Sequence, residues 1–129
     1  MDDGENKVIY PELSYKIMGI LYSIFNDLGY GYQEKYYQRA LIMAFGQAGI
    51  KFKSQLYVKL KYKDASIGFY LADFLIEDKI ILEIKVGDHF SQQYIAQTYA
   101  YLKATKLKLA ILAHFTSRGI ISKRILNLY

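Results

Sequence analysis

Apolar residues recur along this chain with two different periods. Leu13, Ile17, Ile20, Leu21, Ile24 and Leu28 follow helical spacing. Pro11 stands where a first helical turn tolerates its missing N–H, and Gly29 stands where a helix stops, so a helix is predicted between them. Past the Gly29-Tyr30-Gly31 break, Tyr37, Leu41, Ala44, Phe45 and Ala48 resume the helical period. They predict a second helix over residues 33–48 with Gly49 as its terminator. Glu34 heads the same inward face. A glutamate there either complements the helix N-terminus or aims a ligand into a cleft.

The period then changes to two. Ile50, Phe52, Leu56, Val58, Leu60 and Tyr62 fall on even positions, and Lys51, Lys53, Gln55, Lys59, Lys61 and Lys63 on odd ones. That is a half-buried strand with a wet, basic face. Its lysines either protect an edge from mispairing or, as at Lys59 and Lys61, contact phosphates. KDASIG reads as a turn, followed by strands over residues 68–76 and 80–85 joined across Glu77-Asp78-Lys79. A third helix is expected over residues 91–104, capped by Asp88 or Ser91. The apolar run 107–115 reads as a strand buried on both faces, while the C-terminal GIISKRILNLY fits either a last strand or a short helix. The order ααβββαβ implies an α/β fold, a mixed sheet flanked by helices. Residues 1–10 read as a loose tail and 11–129 as a single domain.

Composition narrows the classes. With 53% hydrophobic and 22% charged residues in 129, one core is easily supplied. No apolar run reaches the roughly 18 residues of a membrane span, and the acidic start MDDGENK is unlike a leader segment. The absence of cysteine excludes disulfides and Cys-based zinc sites and makes the cytoplasm the default location. Seventeen basic against twelve acidic residues, net +5, favours a polyanionic partner only weakly.

The chemistry concentrates in FYLADFLIEDKIILEIK, residues 69–85, where Asp73, Glu83 and Lys85 interrupt apolar strands. A buried charge is costly unless it is paired or binds a metal. Glu83 and Lys85, two apart, share a strand face. A two-residue turn at Glu77-Asp78 puts Asp73 opposite Leu82, on the wrong side. A three-residue loop pairs Ile76 with Ile80 and sets Asp73 across from Glu83, gathering two carboxylates able to share a divalent cation. Hard oxygen donors of this kind suit Mg²⁺ or Mn²⁺, and such an ion supplies the polarised phosphoryl oxygen and acidified water that phosphodiester hydrolysis needs. A structural Glu–Lys or Asp–Lys pair is the plainer alternative.

Asp73, Glu83 and Lys85 in the spacing D-x9-E-x-K, followed by a helix bearing Gln97 and Tyr101, resemble the PD-(D/E)XK nuclease superfamily. GYQEKYY, residues 31–37, matches the G-x-x-E-x-x-Y signature of its GxxExxY branch at Gly31, Glu34 and Tyr37. The resemblance implies a restriction-endonuclease-like core and Mg²⁺-dependent cleavage of nucleic acid, with DNA preferred to RNA and Mn²⁺ able to substitute. It makes Asp73 and Glu83 metal ligands, with the backbone carbonyl of Ile84 as a third and Glu34 as an accessory ligand. It gives Lys85 the attacking water, and Gln97 and Tyr101 contacts to the substrate strand; ordinary helix–sheet packing is the plainer alternative for both. Two positions depart from the pattern: Ala72 replaces the proline of the family name, and Leu71 stands where relatives often carry arginine, which weakens a phosphate contact. His89 and His114 are poor catalytic candidates, the first a loop residue and the second expected to cap or leave the buried strand. A homodimer is compatible with the sequence. So is a second function, a catalytically silent nucleic-acid-binding or protein-assembly module on the same fold.

Overall fold

A computed structural model describes residues 9–128. Helix α1 spans Pro11–Leu28 and helix α2 Glu34–Gln47, followed by strands β1 (Phe52–Tyr62), β2 (Ala65–Ile76) and β3 (Ile80–Val86). Helix α3 (Gln92–Thr105) leads to β4 (Leu109–Thr116) and β5 (Gly119–Leu126). The ambiguous C-terminal segment is therefore a strand, paired antiparallel to β4 from Leu109↔Leu126 to Thr116↔Gly119. Residues 1–8 of the expected tail lie outside the described residues. Ile9 and Tyr10, the tail's last two residues, pack against the core, and the Ile9 carbonyl accepts from Arg124.

The five strands form one mixed sheet in the order β1-β2-β3-β4-β5. Only β3 and β4 run parallel, and a parallel pair needs a crossover, which α3 supplies. Ser91, not Asp88, caps α3, its hydroxyl accepting from the Gln93 N–H. Asp88 instead accepts from the Ser117 N–H and hydroxyl, tying the end of β3 to the β4–β5 turn. α1 and α2 cover one face of the sheet through Ile17, Leu21, Tyr37, Leu41 and Phe45 over Phe74, Leu82 and Ile111. α3 covers the other through Tyr101 and Leu102 over Leu75, Ile81 and Leu112. β4 is buried along its whole length, as its unbroken apolar text implies.

The first hairpin is tighter than KDASIG suggested. Lys63 and Asp64 alone make its turn, with φ of 48° and 67°, and β2 begins at Ala65. Two consecutive left-handed residues give a turn whose twist matches paired strands. Tyr62, expected on the inner face, is exposed at the end of β1, beside the Lys63-Asp64 turn.

Candidate active site

Two structural details bring Asp73 and Glu83 together. In the β2–β3 turn, the Lys79 N–H bonds the Ile76 carbonyl, and Glu77 and Asp78 take φ of 52° and 58°. Lys79 is then one residue extra, so Ile76 pairs with Ile80. That is the parity which sets Asp73 across from Glu83. Second, the pleat of β2 reverses at Asp73. Tyr70 and Ala72 pack toward α3, whereas Phe74 and Ile76 pack toward α1 and α2. Gln55, left-handed at φ 55°, lies beside the reversal in β1, between Ser54↔Phe74 and Leu56↔Ala72.

Backbone pairing of β2 with β3 covers only Phe74↔Leu82, Leu75↔Ile81 and Ile76↔Ile80. Beyond it β2 continues with β1 and β3 with β4, so the sheet splits at the two acids. Side chains close the split. The Asp73 N–H donates to Glu83 Oε2 at 2.6 Å, and the Ile84 N–H donates to Asp73 Oδ2 at 2.8 Å. Each carboxylate thus holds the opposite strand, which explains how two acids with 9% and 4% exposure are positioned rigidly.

Neither acid is neutralised by an ion pair. Among the described residues the single salt bridge is Lys51–Asp78, between the residue before β1 and the β2–β3 turn. Lys85, half-buried, instead holds its ammonium 4.6 Å from the centre of the Tyr94 ring, on α3. The plain Glu–Lys or Asp–Lys pair is therefore not what the strands contain. Burial first, and the neighbouring Asp73 charge second, push the Glu83 carboxyl up to about 8. Burial also raises Asp73, opposed by the Ile84 N–H bond and the Lys85 charge.

Glu34 stands in the first turn of α2 and leans to the same place. Gln38, one turn later, donates through Nε2 to Glu34 Oε2 and to Asp73 Oδ1, both at 3.1 Å. Burial and the Asp73 charge raise the Glu34 carboxyl as well. Glu34 reaches the acids through this amide and not by contact, and no three His, Cys, Asp or Glu side chains form a ready cage among the described residues. The donor chemistry nevertheless fits a hard divalent ion: neighbouring buried carboxylates carry mutual repulsion and desolvation that such an ion relieves.

The remaining expected residues divide. Gln97 is half-buried on α3. Tyr101 is 4% exposed, its ring edge-on to Tyr70 at 4.8 Å. Its hydroxyl is raised by burial and by the charges of Glu83 and Asp73, so it backs the acids; closed over by packing, it does not present a face to a substrate strand. Lys59 and Lys61 are exposed on β1. His114 neither caps nor leaves β4. It is fully inside the strand, opposite Lys85, stacked on Phe90 at 4.2 Å, with neither ring nitrogen hydrogen-bonded. Burial lowers its pKa from the ordinary histidine value. Gln38 and Tyr94 escaped the sequence reading. Gln38 was findable, four residues after Glu34 on the same helical face; Tyr94 depends on how α3 crosses the sheet.

Two surface grooves lie elsewhere. One of 450 Å³ is lined by Tyr10, Lys16 and Ile50, and one of 830 Å³ lies between the β1–β2 hairpin and the end of α3. The carboxylates sit at the split of the sheet and in neither groove.

A mixed five-stranded sheet with helices on both faces, split between its second and third strands at two acids, is a restriction-endonuclease-like fold. A family model described as the PD-(D/E)XK nuclease superfamily matches residues 11–125, and the chain belongs to that superfamily. No curated protein matches it in sequence. Among solved structures it is similar to SSO0001, with a TM-score of 0.54 and 18% identity over 92% of this chain. It spans 57% of that protein's length. It is also similar to an alkaline exonuclease (LHK-Exo) from Laribacter hongkongensis, with a TM-score of 0.53 and 12% identity over 94% of this chain and 72% of the other. At these identities the likeness concerns the fold.

Proposed function

We propose that the protein hydrolyses phosphodiester bonds of nucleic acid, DNA in preference to RNA, with Mg²⁺ as cofactor and Mn²⁺ as a substitute. The observation that carries this reading is the Asp73–Glu83 pair: two buried carboxylates, fixed by reciprocal backbone hydrogen bonds and left without an ion-pair partner. Evolution of a merely structural strand pair has no need of charges there, since an apolar pair costs less.

Asp73 and Glu83 would hold the ion, with the Ile84 carbonyl as a third donor and Glu34 reached through water. When bound, the metal supplies a polarised phosphoryl oxygen and a more acidic water. Lys85, held at the cleft by the Tyr94 ring, orients the attacking water through its ammonium. Gln38 keeps Glu34 and Asp73 in fixed relation. Gln97, Lys59 and Lys61 contact the substrate strand, and the GYQEKYY segment supports assignment to the GxxExxY branch. Metal-dependent degradation of a labelled oligonucleotide tests the proposal. Salt-sensitive binding without cleavage, by folded protein in Mg²⁺ and in Mn²⁺, assigns the chain instead to the silent binding modules.

A further inference from the structure

Beyond the acids, the β1–β2 hairpin projects past its helices. Leu56, Val58, Tyr70 and Ala72 pack toward α3. Strand alternation then turns Tyr57, Lys59, Lys61, Phe69 and Leu71 to the opposite face. That face is the one α1 and α2 cover at Phe52 and Phe74, but they do not reach the hairpin. Tyr57 is 58% exposed, Phe69 52% and Leu71 49%. The two rings are stacked, their centroids 4.6 Å apart and their planes 17° from parallel. Lys59 pairs directly with Phe69, Tyr57 with Leu71, and Lys61 with Ser66. An exposed aromatic stack is thus presented on one strand surface, with Lys59 beside Phe69 and Lys61 one step further toward the hairpin tip.

We propose that this surface is a stacking platform for single-stranded nucleic acid, leading it into the Asp73–Glu83 cleft; its direction rests on the nucleolytic reading above, its chemistry does not. Each unpaired base offers a π-face that extends the Tyr57–Phe69 stack, while Lys59 and Lys61 take the flanking phosphates. A duplex keeps its base faces inside and offers the rings nothing. Self-association is disfavoured by charge. Residues 52–72 carry Lys53, Lys59, Lys61 and Lys63 against the single acid Asp64, so a second copy would bring lysines against lysines. The platform also has the right reach. Asp73 stands four positions on from Phe69, about 13 Å of strand, or roughly four stacked nucleotides at about 3.4 Å each.

The test measures binding of a fluorescein-labelled 12-nucleotide single strand and of its duplex by anisotropy, in EDTA so that nothing is cleaved. The single strand is expected to bind more tightly than the duplex. Tyr57→Ala and Phe69→Ala, checked by circular dichroism, are expected to weaken single-strand binding about 5- to 100-fold each and to close the gap to duplex. Tyr57→Phe, which keeps the ring, should retain wild-type binding. Lys59→Ala should lower the salt dependence of log K by about 0.7. Equal or tighter duplex binding, or unchanged binding by folded Tyr57→Ala and Phe69→Ala, overturns the platform. So does a wild-type dimer that the same two variants dissociate, or phosphatidylserine vesicles bound through these residues without preference for single strands. Cleavage is read separately in Mg²⁺. Ring-dependent strand binding without cleavage keeps the platform and removes the nuclease reading; cleavage with ring-independent binding does the reverse.

Discussion

In the proposed reaction Glu83 is the residue on which the chemistry turns. Its carboxyl, raised to about 8, binds its proton more tightly in the folded chain than in the unfolded one. Stability from this group is therefore full below the unfolded value near 4.5 and is lost as pH rises through about 8. Metal-free protein should become less stable across that window. Glu83→Gln, which keeps an oxygen to accept the Asp73 N–H but cannot ionise, should flatten the loss and be more stable than wild type at pH 9, by about 1–3 kcal/mol. Denaturant midpoints at pH 5 and pH 9 check this; a variant with the wild-type pH slope would contradict it. Lys85 makes a separable prediction. Its ammonium rests on Tyr94 and on neither acid, so Lys85→Ala should lower the cleavage rate about 10²- to 10⁴-fold while preserving most metal binding. Single-turnover kinetics beside metal titration of the same preparation will show whether the two properties separate.

At the scale of elements, what mattered was parity, and parity was legible. Asp73 and Glu83 in apolar strands demand one face, and only an odd loop supplies it. The turn answers with a left-handed pair followed by Lys79 as the extra residue. Helix ends marked by Pro11 and Gly29 were equally plain, because proline and glycine act through local sterics. The reversal of the pleat at Asp73 was not legible, since it depends on Gln55 in a neighbouring strand and on helices competing for opposite faces. Nor was the two-residue turn at Lys63-Asp64, which carries no glycine to announce it. That turn offers a prediction. Both residues are left-handed, a conformation that costs a non-glycine residue about 1 kcal/mol. Asp64→Gly should raise stability by roughly 0.5–1 kcal/mol, observed as a melting temperature some 2–5 °C higher, with nucleolytic activity unchanged. A lower melting temperature would mean that Asp64 makes compensating contacts.

For the whole molecule, the sequence disclosed the α/β class and the family, because D-x9-E-x-K and the order of elements survive without tertiary knowledge. It misplaced His114, whose surroundings are made by the parallel β3–α3–β4 crossover and by packing from Phe90. The assembled molecule places two repelling acids where the sheet divides, and no helix among its described residues is long and apolar enough to cross a membrane. A divalent ion that binds the native cleft and not the unfolded chain must stabilise the fold, by about 2.7 kcal/mol at 100 times its dissociation constant. Thermal melts with Mn²⁺ should show this rise in wild type and lose it in Glu83→Gln. The most direct measurement is cleavage of a labelled DNA strand across a Mg²⁺ titration by wild type and Glu83→Gln. Cleavage that rises with Mg²⁺, stops in EDTA and is absent from the folded variant is the expected result. Cleavage that persists in EDTA or in Glu83→Gln, or a folded wild type inert in both Mg²⁺ and Mn²⁺, would contradict hydrolysis at the Asp73–Glu83 pair.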